Sequence, residues 1–207
     1  MINSTHIIEI LNLPDFKNEL EELSSFASNI KQERPIVLLF AKYFWRKKRD
    51  VILELNKCDL VVDGTRIEFK YHFDCDTTQR VAKELGKAGG ELERLLAGKP
   101  TGWNVCANIH KDMVEKNPDI FVWIICSRDL STLDEKSLAK VVWSRQQNDF
   151  NKSVAYDPAG NNLLVMNQFL EKLQPVRPFS IGMKSVQTAR DFPSTYHFLV
   201  CEFGKSE

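Results

Sequence analysis

Three observations predict an α/β protein built on a mixed sheet. Apolar residues recur at helical spacing before residue 50, two short strands bend at Asp63-Gly64, and residues 120–125 form an uninterrupted apolar run. The elements follow in order. Residues 5–12 and 15–30 read as helices, with Leu20, Leu23, Phe26, Ala27 and Ile30 on one stripe behind Pro14. A further helix carries Pro35 in its first turn and runs through Ile36, Leu39, Phe40 and Phe44 to about Lys48. Residues 51–55 are a strand, followed by the bent pair. Thr77 or Thr78 caps a helix that carries Val81 and Leu85 and continues past Gly89-Gly90 to Leu92, Leu95 and Leu96. A short helix ends near Lys116, and the run 120–125 after Pro118 is a strand buried on both faces. A helix from Ser131 to about Gln147, a polar stretch 148–162, a helix 163–173 and strands 179–186 and 195–203 complete the chain. The middle therefore reads α-β-β-β-α-α-β.

The bent pair carries the chemistry. Residues 59–70 read Asp-Leu-Val-Val-Asp-Gly-Thr-Arg-Ile-Glu-Phe-Lys, and Asp63-Gly64 suits a two-residue type I′ turn. That turn sets Val62 against Thr65, Val61 against Arg66, Leu60 against Ile67 and Asp59 against Glu68. Opposed residues hold their Cβ atoms about 4.5–5.5 Å apart, so two facing carboxylates repel unless a cation lies between them. The period of two puts Arg66, Glu68, Lys70 and His72 on one face and Ile67, Phe69 and Tyr71 on the other, apolar one. Two carboxylates and an ammonium converging at one end of a hairpin form a candidate metal site with a cationic neighbour.

Composition bounds the class. The 207 residues are 43% hydrophobic and 27% charged, enough for a globular domain with a proper core. Lys+Arg and Asp+Glu both number 28, so any surface for a polyanion must come from local clustering. Five scattered cysteines and no secretory pattern predict reduced thiols in a cytoplasmic protein. No apolar run reaches the roughly 18–20 residues of a membrane span, so no membrane partner is expected.

The strand acid Asp59, the Glu68-Phe69-Lys70 triplet on the next strand, the helix before them and the helix and buried strand after them resemble the PD-(D/E)XK nucleases, the restriction-endonuclease-like superfamily. The resemblance covers about residues 34–127; Cys58 stands where the family often has proline. It implies a restriction-endonuclease-like mixed central sheet flanked by helices, with N-terminal helices and a C-terminal β hairpin. One domain spans 1–207, with a nuclease-like core at about 34–127 and extensions 1–33 and 128–207. It also implies a Mg²⁺-dependent deoxyribonuclease, an endonuclease of restriction-enzyme type, with Mn²⁺ as a substitute, DNA as partner and a homodimer as assembly. Asp59, Glu68 and the main-chain carbonyl of Phe69 would hold the metal, and Lys70 would orient the attacking water. The rival expectation is a catalytically inactive nuclease-like module that binds nucleic acid or protein; a third is an α/β enzyme of unrelated chemistry.

Geometry adds Glu33. A helix over 34–48 is about 21 Å long and a strand over 51–56 about 20 Å, so an antiparallel return brings the helix start back to Asp59. A carboxylate favoured by a helix N-terminus explains Glu33 equally well. Other residues have competing explanations. Glu54 is a further ligand or an end-of-strand acid. Arg46-Lys47-Lys48-Arg49 is a phosphate contact or a set of cations suited to a helix C-terminus. Arg145, Gln146, Gln147, Asn148, Asn151, Lys152, Asn161 and Asn162 form a base-reading loop or an ordinary polar one. Cys106 and His110, four apart, lack a second pair for zinc. His72 faces the site, and Gln79 and Arg80 open the next helix.

Overall fold

The computed structural model describes residues 1–26, 33–55, 58–73, 81–85, 87–99, 105–128, 161–189 and 193–204. Three helices come first: α1 (Ser4–Leu11), α2 (Pro14–Phe26) and α3 (Glu33–Arg46). Strands β1 (Val51–Leu53), β2 (Leu60–Val62) and β3 (Thr65–Phe73) follow. Then come α4 (Glu91–Leu96), α5 (Val105–His110) with a π-helical turn over Lys111–Glu115, β4 (Ile120–Arg128), α6 (Asn161–Leu173), β5 (Phe179–Thr188) and β6 (Ser194–Phe203).

The strands form one six-stranded mixed sheet in the order β1-β2-β3-β4-β6-β5. β1, β2 and β3 are an antiparallel meander, and β3 pairs with β4 in parallel, from Ile67↔Ile120 to Phe73↔Cys126. A parallel neighbour requires a crossover, and the segment holding α4 and α5 supplies it. β6 lies antiparallel to β4, with β5 outside it. The C-terminal hairpin is thus part of the same sheet as the hairpin at Asp63-Gly64.

β4 carries the apolar run expected at 120–125, and each of these residues is at most 1% exposed. Alternation sends Ile120, Val122 and Ile124 to one face and Phe121, Trp123 and Ile125 to the other. The first face packs against α1, α2 and α3. There Phe40 sits 5.0 Å from Phe16, 5.3 Å from Phe69 and 6.3 Å from Phe198, ring centre to ring centre. Burying each such ring stabilises by about 1.5–3 kcal/mol. The second face is covered by Leu92 of α4, Cys106 and Ile109 of α5, and Met166, Phe169 and Leu170 of α6, with Trp123 edge-on to Phe169 at 5.8 Å. Helices on both faces of a sheet make a layered α/β fold.

Two expected elements differ in their limits. The helix expected to continue from Val81 through Leu96 is divided: residues 81–85 are helical, and a turn at 88–89 precedes α4. Gly89 adopts φ +66°, a left-handed conformation in which a helix does not propagate. β1 ends at Leu53 because Glu54 turns the chain with φ +58°. The expected caps Thr77 and Thr78 and the expected helix from Ser131 to Gln147 lie outside the described residues.

Candidate metal centre on the β2–β3 hairpin

The turn between β2 and β3 falls where the sequence places it. Asp63 and Gly64 have φ of +49° and +79°, the two positive values of a type I′ turn. The ladder pairs Val62 with Thr65, Val61 with Arg66 and Leu60 with Ile67, its last step; Asp59 follows just beyond, close enough for its charge to act on Glu68. The end of α3 braces this turn. Arg49 pairs with Asp63 at 2.9 Å, and the Asp50 N–H donates to the other Asp63 carboxylate oxygen at 3.0 Å. At the far end, the Glu54 N–H donates to the Asp59 carbonyl at 3.1 Å, fixing the residue that carries the first acid.

β2 stops at Leu60 while β3 runs on to Phe73, leaving one edge of β3 without a strand among the described residues. Side-chain carboxylates take over there. The Phe69 N–H donates to Asp59 Oδ2 at 2.8 Å, and the Tyr71 N–H donates to Glu33 Oε2 at 2.8 Å. The start of α3 therefore does return to the Asp59 end of the hairpin. In a strand the N–H and C=O of one residue share an edge, so the Phe69 carbonyl lies on the Asp59 edge of β3.

Glu68 and Lys70 project from β3 beside Phe121 and Trp123 of β4, on the second face. Glu68 is 2% exposed. The π-helical turn brings it a partner: Lys116 donates to Glu68 Oε1 and lies 2.9 Å from Asp112 Oδ1. Lys70 Nζ lies 2.7 Å from Asp112 Oδ2, an ion pair without hydrogen-bond alignment. Glu68, Lys116, Asp112 and Lys70 thus form a chain of alternating charge.

Burial dominates the electrostatics. It pushes the Glu68 carboxyl up to about 8, against the lowering effect of the Lys116 hydrogen bond and with the Asp59 charge adding to the rise. Asp59 is also raised, first by burial; its Phe69 hydrogen bond opposes this and the Glu33 charge reinforces it. Burial works against the Lys116 ammonium, but its bonds to Glu68 and Asp112 outweigh that and raise its pKa. Burial, then the Glu68 charge, likewise raises the adjacent Cys58 thiol.

The donor set suits a small hard cation. Glu68 Oε2 is buried and has no hydrogen-bond partner among the described residues, an acceptor that a cation or a proton would satisfy. Among the described residues no group of three or more His, Cys, Asp or Glu side chains is arranged to hold a metal. Two carboxylates and a carbonyl nonetheless fit Mg²⁺, which usually takes one or two carboxylates and keeps several waters.

The remaining sequence candidates separate. Glu54 forms an exposed ion pair with Arg34 rather than joining Asp59 and Glu68. Arg46, in the last turn of α3, pairs with Glu19 and lies over the Tyr43 ring, while Arg49 binds the hairpin turn. The half-buried His72 accepts from the Trp123 indole at 2.9 Å. Burial raises the Cys106 thiol to about 12, which disfavours the thiolate a zinc site needs, and lowers His110. Gln79, Arg80 and residues 145–152, together with the side chains of Asn161 and Asn162, lie outside what is described. Sequence reasoning missed Asp112 and Lys116. Their spacing of four was legible as a helical ion pair, but not the π-helical turn that aims both inward.

Comparison with family models, curated proteins and solved structures finds no match. Among the described residues no helix is long and apolar enough to cross a membrane.

Proposed function

We propose that this chain is a metal-dependent nuclease hydrolysing DNA phosphodiester bonds, an endonuclease of restriction-enzyme type on a restriction-endonuclease-like core. The observation that carries the reading is the hairpin itself: beyond its last paired step, Leu60 with Ile67, the Asp59 charge acts on Glu68, Glu68 Oε2 is buried without a hydrogen-bond partner among the described residues, and Lys70 stands two residues on. The succession α3-β1-β2-β3, crossover helices, then the parallel strand β4 supports the finer fold assignment. Asp59, Glu68 and the Phe69 carbonyl would hold Mg²⁺, with Mn²⁺ as substitute; the ion would neutralise the phosphate and lower the pKa of a bound water.

The chain's own residues supply the rest. Lys70, held by Asp112, would orient the attacking water and offset the negative charge that develops. Glu33 and Asp59 hold the exposed edge of β3 in register, which fixes the Phe69 carbonyl. Two copies acting together would place one site on each DNA strand. A reducing, cytoplasmic compartment suits the buried cysteines Cys58, Cys106, Cys126 and Cys201.

A second reading, a catalytically inactive nuclease-like module that binds nucleic acid or protein, is favoured by one observation: the ammonium groups of Lys70 and Lys116 are both engaged by carboxylates. Incubation with supercoiled plasmid separates the two. The nuclease nicks DNA with Mg²⁺ or Mn²⁺ but not with EDTA or Ca²⁺, and Glu68→Ala and Lys70→Ala abolish nicking. A gel shift without metal and no nicking under any condition would establish the binding module instead.

A further inference from the structure

We propose that Lys116 is a built-in counter-cation, holding the Glu68 carboxylate until a divalent ion takes its place. This rests on the nuclease reading and adds to it a residue outside the Asp59, Glu68 and Lys70 motif. Glu68 has two oxygens, and only Oε1 is engaged, by Lys116; Oε2 is buried and has no hydrogen-bond partner among the described residues. A pair selected only for stability would satisfy both oxygens, because a buried acceptor left unsatisfied costs about 1–3 kcal/mol.

The position of Lys116 suits a replaceable occupant. It follows a π-helical turn closed by its own N–H to the Lys111 carbonyl at 3.0 Å, an irregularity that clusters at functional sites. Its side chain is 24% exposed, against 2% for Glu68 and 5% for Asp112, so the ammonium can withdraw toward water while the acids stay. Asp112 offers it a second anchor, which keeps the displaced ammonium near the site.

The test compares the wild type with Lys116→Met, Lys116→Arg and Glu68→Gln. Mn²⁺ affinity is read from the free-ion resonance signal, and melting temperature is measured in EDTA and in Mn²⁺. Removing a positive charge a few ångströms from a divalent ion favours binding, so Lys116→Met should bind Mn²⁺ on the order of tenfold more tightly. In EDTA it melts below the wild type, and Mn²⁺ raises its melting temperature by more than it raises the wild type's. Lys116→Arg, which keeps the charge, stays close to wild type. If Lys116→Met fails to fold without metal, Lys116→Gln is read in the same way. Wild-type binding that Glu68→Gln removes, with no tightening in the neutral Lys116 variants, overturns the counter-cation while leaving the metal site intact. Absence of any Glu68-dependent Mn²⁺ binding in the wild type overturns the nuclease reading itself.

Discussion

Asp59 does two things at once, and they can be pulled apart. Its Oδ2 accepts the Phe69 N–H at the edge of β3, and its charge acts on Glu68. Asn keeps an acceptor and loses the charge, so Asp59→Asn should retain the wild-type melting temperature in EDTA and lose metal-dependent nicking. Asp59→Ala leaves the amide unpaired and should cost about 1–3 kcal/mol of stability as well, measurable by urea denaturation. Glu68 makes a separate, pH-dependent prediction. Its carboxyl titrates near 8 in the folded chain, against an ordinary value of 4.5. Between those values the folded state holds a proton that the unfolded state has shed, so stability is greatest below the lower value and is lost as pH rises through the upper one. The metal-free wild type should therefore lose melting temperature between about pH 5 and pH 8.5, and Glu68→Gln should lose distinctly less. Equal slopes for the two proteins would mean that Glu68 is not buried as described.

At the scale of the element, the hairpin was the most legible part of the chain. Asp63-Gly64 names its own turn, and with a two-residue turn fixed the register has no freedom. Gly64 sits at φ +79° with open space where a Cβ would be, so Gly64→Ala meets backbone strain and no clash. It should destabilise by about 1 kcal/mol in thermal or urea unfolding. If it instead shifts the register by one residue, Asp59 no longer faces Glu68 and nicking disappears while the fold persists. β4 was legible for a different reason: an apolar run bounded by Pro118 fits only a strand covered on both faces. The π-helical turn was not. Hydrophobic periodicity locates an apolar stripe but does not register a single widened turn, so nothing in the pattern marked Asp112, which is 4% exposed, or Lys116 as part of the site. The division at Gly89 was half legible: the glycines were visible, their left-handed conformation was not.

Across the whole molecule, the site depends on contacts that no local pattern contains. Glu33 and Tyr71 are 38 positions apart and meet only because α3 packs across the first face of the sheet. Lys116 and Glu68 are 48 apart and meet only because the crossover to β4 carries the π-helical turn over the second face. The sequence could estimate the first contact from helix and strand lengths; it held no comparable ruler for the second. The C-terminal hairpin, an extension in the sequence reading, completes the sheet through nine register pairs between β4 and β6, Ile120↔Glu202 to Arg128↔Ser194. In the proposed function this assembly sets Asp59 and Glu68 to share one ion. A crystal soaked in Mn²⁺ tests it directly through the anomalous signal. One peak is expected within about 2.0–2.3 Å of oxygens from both Asp59 and Glu68, with Lys116 moved off Glu68. A peak elsewhere, or none with Lys116 still bound to Glu68, would contradict it.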